Sequence, residues 1–249
     1  MGEYAAKAII FDLDGTLVDS AEDLRASLNV ILDDLRLRPI EAGEIRSMIG
    51  DGVPKLVERA LILTGGDLGQ KNALVTRFLR IYETNAAVLT RCYPGVVETL
   101  DALRARQFRL AVVTNKPFIA TEKILRSLSL ADFFSAVIGG DSVPQRKPHP
   151  APLLEAGRRL AIDPADLIMV GDNIHDVEAA RAAGIRSIAV TYGYHHQPPS
   201  TFQADHLIDR FNELLALVVN PTSHRHNTGT GADRETVVRL ALAAQELRQ

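Results

Sequence analysis

The sequence predicts an α/β protein built on a doubly wound parallel sheet with an inserted helical cap domain, and three observations point there. Short apolar runs rich in β-branched residues recur as AIIFD (8–12), RLAVVT (109–114), SAVIGG (135–140), LIMVGD (167–172) and RSIAVT (186–191). That is the pattern of strands buried on both faces. Helical patterns fall between the later runs, and strands separated by helices imply a parallel, Rossmann-like sheet. Residues 17–91 break the alternation, because they hold helical patterns and no strand.

In chain order, the first strand leads into Asp14-Gly15, where glycine permits a sharp departure of the chain. Helical segments follow near 21–35, 42–49, 53–63 and 70–89. The YPGV turn at Tyr93–Val96 closes this insert and opens a helix over 95–106. Strand 109–114, helix 118–129, strand 135–140, helix 151–160, strand 167–172, helix 174–183 and strand 186–191 complete the alternation, with capping or breaking residues at the helix ends. Residues 220–233, NPTSHRHNTGTGAD, read as a polar linker. Beyond it, Val237, Leu240, Ala241, Ala244 and Leu247 give a helix over 234–248 one apolar stripe. Such a helix docks on its own core or on a neighbouring subunit, which leaves monomer and homodimer both open. The expected division is a catalytic core of 1–16 and 92–219, a cap of 17–91, and a linker and C-terminal helix in 220–249.

With 46% apolar residues in 249, the chain can fill such a core. Lys and Arg total 28 against 31 Asp and Glu, and the net charge of -3 offers no electrostatic case for nucleic acid. Cys92 stands alone, so neither an intramolecular disulfide nor a Cys-rich zinc pattern is expected. His195-His196, and His224 with His226, lie in polar, turn-rich stretches without suitably placed acids, and read as solvated loop. No apolar run reaches the roughly 18 residues of a membrane span. MGEYAAKAII has no signal-peptide layout. The expectation is a cytoplasmic protein whose partner is a small metabolite.

The chemistry is concentrated at strand ends. FDLDGTLVDS (11–20) puts Asp12 and Asp14 at the carboxyl end of the first strand, where open parallel sheets bind ligands. Two carboxyl groups so spaced suit phosphoryl transfer, one attacking phosphorus and the other protonating the leaving alkoxide. Thr114 and Asn115 follow the second predicted strand and offer hydroxyl and amide donors to phosphoryl oxygens. Lys147 in RKPHP brings a cation on a backbone restricted by Pro148 and Pro150. LIMVGDNIHD places Asp172 at a fourth strand end, flanked by Gly171 and Asn173, with Asp176 one helical turn later. Asp12 and Asp172, with a backbone carbonyl and waters, would form the sparse oxygen site that Mg²⁺ prefers.

These four segments, in this order and spacing, resemble the signature motifs of the haloacid dehalogenase superfamily over residues 8–190. The resemblance implies Asp12 as nucleophile, and Asp14 as general acid/base and as a Mg²⁺ ligand through its main-chain carbonyl. It implies Thr114 and Lys147 as phosphoryl ligands, Asp172 as a metal ligand and Asp176 as a supporting acid. Asp14 separates this pattern from that of the dehalogenases, which lack an acid there, because a leaving alkoxide needs a proton and a halide does not.

A closer resemblance is to the bacterial phosphoglycolate phosphatases, through FDLDGTLVDS, MIGDGVPKLVERAL (48–61), VVTNKP (112–117), IGGDSVPQRKPHPAPLL (138–154) and TYGY (191–194). It implies hydrolysis of 2-phosphoglycolate, with the Gly50-Asp51-Gly52 turn near the substrate and Arg59 or Lys55 as candidate contacts. Two positions depart from the pattern. Asp51 stands where relatives often carry Asn, and Asn173 replaces a common serine. Broader sugar-phosphate or nucleotide phosphatases share the core motifs, as do phosphomutases. A receiver-type phospho-acceptor domain also pairs Asp and Mg²⁺ with Thr and Lys, but Asp14 and the insert argue against it.

Overall fold

The computed structural model describes residues 4–219, so the predicted linker and helix of 220–249 lie outside the described residues. The elements are β1 (Tyr4–Ala5), β2 (Ala8–Phe11), β3 (Val18–Asp19), α1 (Ala21–Asp34), α2 (Ala42–Ile45), α3 (Val53–Thr64), α4 (Lys71–Asn85), β4 (Arg91–Cys92), α5 (Val96–Ala105), β5 (Arg109–Val113), α6 (Phe118–Ser127), β6 (Ala136–Ile138), α7 (Ala151–Leu160), β7 (Leu167–Gly171), α8 (Ile174–Ala183), β8 (Arg186–Val190), β9 (His206–Ile208), α9 (Leu214–Leu217) and β10 (Val218–Val219). Six strands form one sheet in the order β6-β5-β2-β7-β8-β9, every pair parallel.

Why these runs become strands follows from their side-chain alternation. Ile9, Phe11, Leu110, Val112, Ile168 and Val170 face one core, which they share with Leu100 and Leu103 of α5 and Ile124 and Leu125 of α6. Ala8, Ile10, Ala111, Val113, Leu167 and Met169 face the other, against Leu153 and Ala156 of α7 and Ala179 and Ala180 of α8. With both faces covered, period-two polarity disappears and continuous apolar runs result. Strand order reverses at β2, which has β5 on one side and β7 on the other. That switch point opens a crevice beyond the carboxyl ends of three strands.

The expected strands and helices of the core are all present, and several features go beyond the expectation, among them α9 and a short parallel pairing of β1 with β10. A sixth strand, β9, extends the sheet beside β8. It has only three residues, starts with a histidine and leaves Leu207 exposed, so it lacks the continuous apolarity that marks the others. Residues 17–91 were also expected to hold no strand, yet β3 pairs antiparallel with β4 across the base of the insert. Two residues per strand are too few to register as a hydrophobic pattern.

The insert is helical otherwise. The buried Asp23 carboxylate accepts the Leu89 N–H at 2.9 Å, the Thr90 N–H at 2.9 Å and the Thr90 hydroxyl at 2.6 Å, tying the start of α1 to the returning chain. The N-terminus of α1 is capped from the core, because the Tyr194 hydroxyl accepts the N–H groups of Ser20 at 2.8 Å and Ala21 at 3.1 Å, satisfying donors a helix start leaves free. Among the described residues no helix is long and apolar enough to cross a membrane.

Candidate active site

Register brings the predicted residues together. Phe11 pairs with Val112 of β5 and Val170 of β7, so Asp12, Thr114 and Asp172 emerge side by side at the crevice. Gly15 has φ +86°, and a Cβ there would lie 2.2 Å from Asp172 Oδ2. A Cβ at Gly171 would lie 2.2 Å from Asp176 Oδ2. Both positions therefore admit only glycine beside the carboxylates they frame.

Lys147 is buried beneath the crevice. Its ammonium donates to the Val113 carbonyl at 2.8 Å and to Asp176 Oδ1 at 2.6 Å, and lies 3.0 Å from Asp12 Oδ1. Asp12 Oδ1 also accepts the Leu13 N–H at 2.7 Å. Asp172 accepts the Thr16 hydroxyl at 2.8 Å and the Tyr194 N–H at 2.6 Å. Asp176 Oδ2 accepts the Asn173 N–H at 3.0 Å, part of a capping box that starts α8. The Asn173 side chain caps the same helix through the His175 N–H at 3.2 Å.

Asp12, Asp172 and Asp176 each present a carboxylate oxygen within 4.8 Å of the others, all three buried. Burial is the main force raising the Asp12 carboxyl to about 6, aided by repulsion from Asp176 and Asp14 and opposed by Lys147. Burial likewise drives Asp172 well above the carboxylate range, with repulsion from Asp12 and Asp176 adding to it. Three buried carboxylates against one lysine leave an excess of negative charge that a hard cation would offset. The oxygen-only donor set fits Mg²⁺. Among the described residues Asp12 alone of the three keeps an oxygen, Oδ2, free of hydrogen bonds, while Lys147 and Asn173 hold Asp176 and Thr16 and Tyr194 hold Asp172.

Three predicted residues do other things in this structure. The Asn115 amide donates to the Gly50 carbonyl at 3.0 Å and to the Lys147 carbonyl at 3.0 Å, while its oxygen accepts the Lys147 N–H at 3.0 Å. Both amide hydrogens are engaged, so Asn115 ties the cap loop to the Lys147 segment and offers none to a phosphoryl oxygen. Arg59 donates to the Met48 carbonyl at 3.0 Å and pairs with Asp51, and it is absent from the cavity wall. Lys55 pairs with Glu58 on the surface. The unexpected Asp51 thus has its charge met. Burial favours its neutral form, but His175 and Arg59 outweigh burial and hold its carboxyl below the ordinary value. His196 Nε2 adds a contact at 3.5 Å. The cap loop rests on the core through these groups.

The sequence reading overlooked Lys116. It is buried, and its ammonium donates to Asp14 at 2.9 and 2.7 Å, while Ser20 donates its hydroxyl to the same carboxylate. A lysine after Thr-Asn in a turn reads as solvated, and only its position two residues beyond Thr114 hinted otherwise. The Thr114 hydroxyl oxygen accepts the Lys116 N–H at 3.2 Å, leaving its own hydrogen available. Asp12, Asp14, Thr114 and Lys116 form the polar floor of a cavity whose wall includes Leu24, Val53, Leu56 and Tyr82, with Gly50 and Gly52 at the cap loop.

Residues 9–190 match the family model described as haloacid dehalogenase-like hydrolase. A phosphoglycolate phosphatase of Nitrosospira multiformis is 46% identical over 194 residues, 76% of this chain and 84% of the relative. One of Chromobacterium violaceum is 41% identical over 219 residues, 86% of this chain and 97% of the relative. Among crystal structures, a predicted phosphoglycolate phosphatase of Haemophilus somnus superposes with a TM-score of 0.80 at 36% identity, covering 85% of this chain and 97% of that one. With its strand-end carboxylates and buried lysines arranged as described, the chain belongs to the haloacid dehalogenase-like hydrolase family and is a phosphoric monoester hydrolase.

Proposed function

We propose that this phosphatase hydrolyses 2-phosphoglycolate to glycolate and phosphate through an aspartyl-phosphate formed on Asp12, with Mg²⁺ as cofactor. The observation that carries the chemistry is the meeting of Asp12, Asp14, Thr114, Lys147 and Asp172 at the ends of β2, β5 and β7. The substrate rests on likeness to the phosphoglycolate phosphatases together with a cavity roofed by the Gly50–Gly52 loop.

In the first step an Asp12 carboxylate oxygen attacks phosphorus, the phosphorus–oxygen ester bond breaks, and Asp14 delivers a proton to the departing glycolate oxygen. Thr114 offers its hydroxyl hydrogen to a phosphoryl oxygen, and the Lys147 ammonium supplies positive charge beside the nucleophile. In the second step Asp14 takes a proton from water, the water oxygen attacks phosphorus, and the bond to Asp12 breaks to release phosphate and restore both carboxyl groups. Mg²⁺, held by Asp12, Asp172 and the Asp14 carbonyl, would offset the charge between nucleophile and phosphoryl group. Residues 17–91 act as the cap that excludes water and selects the substrate.

Two measurements test this reading. With Mg²⁺, phosphate release from 2-phosphoglycolate is expected to exceed that from sugar phosphates, nucleotides and pyrophosphate by kcat/KM. A stronger preference for another compound would replace the substrate and leave the mechanism standing. The second concerns protons. Because folding raises the Asp12 carboxyl from 3.8 to about 6, the cation-free protein loses stability as pH climbs through that window, and the loss is complete above it. Mg²⁺ must displace the proton, so its affinity rises over the same window. The Mg²⁺-induced increase in melting temperature should therefore be larger at about pH 7.5 than at about pH 5.5. Equal increases would place the bound cation away from Asp12.

A further inference from the structure

Lys116 is the one cationic side chain lining the cavity above Asp12 and Asp14 among the described residues. Its side chain is 3% exposed, and its ammonium lies 4.7 Å from the centroid of the Tyr82 ring, a cation–π distance. The other buried lysine of the site, Lys147, is engaged below by Asp12, Asp176 and the Val113 carbonyl.

A substrate with two anionic groups joined by a short link must find two cationic receptors. Its phosphoryl group goes to Asp12 and Thr114, with the charge of Lys147 close beneath at 3.0 Å from Asp12. Among the side chains lining the cavity a second anion meets one counter-charge, the ammonium of Lys116, beside the apolar wall of Leu24, Val53 and Leu56, and burial without a counter-charge is strongly unfavourable. Tyr82 fits the same purpose. It is fully buried in the cavity wall, its ring meets the Lys116 ammonium, and burial holds its phenol protonated well above the ordinary range.

We infer that Lys116 is the specificity-determining residue of this site: its ammonium, backed by the Tyr82 ring and shared with Asp14, receives the carboxylate of the substrate. The inference rests on the proposed reading of the substrate as a carboxylated phosphomonoester. It also assigns a role to the cap, because Tyr82 comes from α4 and meets Lys116 only when the insert lies over the sheet.

The test compares 2-phosphoglycolate with ethyl phosphate, of similar size and without the carboxylate, on the full chain with Mg²⁺. Lys116→Met should lose about 10²-fold more in kcat/KM on 2-phosphoglycolate than on ethyl phosphate, as expected when one member of a desolvated charge pair is removed. Inhibition by glycolate should weaken in parallel. Lys116→Arg should retain most of the preference. If Lys116→Met fails to fold, Lys116→Gln, which still donates to Asp14, carries the same expectation. Equal losses on both esters would overturn the inference and assign Lys116 to Asp14 alone, as would an undiminished preference. A wild-type enzyme that favours another carboxylated ester, such as 3-phosphoglycerate, would remove only 2-phosphoglycolate as substrate, and the variants would then be scored on that ester. A wild-type enzyme indifferent to the carboxylate would overturn both readings.

Discussion

Asp12→Asn is expected to lower turnover by about 10⁴-fold or more, the scale seen when a nucleophile is removed. An amide oxygen is neutral and a poor nucleophile, and it does not balance Lys147, which lies 3.0 Å from Asp12 Oδ1. The substitution is nearly isosteric and keeps an acceptor for the Leu13 N–H, so the fold should survive. Substrate binding should persist in the inactive variant, separating loss of chemistry from loss of the site. A variant retaining near-normal turnover would remove Asp12 from the nucleophile role.

The second large effect is at Asp14. Asp14→Asn should cost about 10²–10⁴-fold in turnover, the usual range for one general acid/base, and its signature differs from that of Asp12→Asn. The first step needs a proton donor only when the leaving group is a poor one. An aryl phosphate should therefore still phosphorylate the variant, while 2-phosphoglycolate should do so slowly. The second step needs Asp14 as base with every substrate. The variant should show a burst of phenol release followed by a slow steady rate, whereas an equal loss on both esters without a burst would assign Asp14 to holding Lys116 and Ser20 in place.

Much of this was legible in the sequence because parallel strands buried on both faces leave an unbroken apolar signal. The polar residue that ends such a run, such as Asp12, Thr114 or Asp172, stands out against it. Strand β9 was not legible, being three residues long at the sheet edge. The side-chain placements divided by whether they depend on distant partners. The positions of Asp12 and Asp172 follow from their own strand ends. The engagement of Asn115 with Gly50 and Lys147, and of Asp51 with Arg59, His175 and His196, joins segments far apart in the chain, and no local pattern reports it. Lys116 is the clearest case, since its burial depends on Asp14 of one loop and Tyr82 of a cap helix.

The covalent intermediate on Asp12 is the center of this account, and acid-quench trapping tests it directly. The Asp14→Asn variant, mixed with a phosphorus-labelled aryl phosphate and Mg²⁺, quenched in acid and digested, should yield a labelled peptide containing Asp12, the label being lost on treatment with hydroxylamine as an acyl phosphate requires. Phosphate release during turnover with no labelled peptide, or a hydroxylamine-resistant label on another residue, would contradict the mechanism.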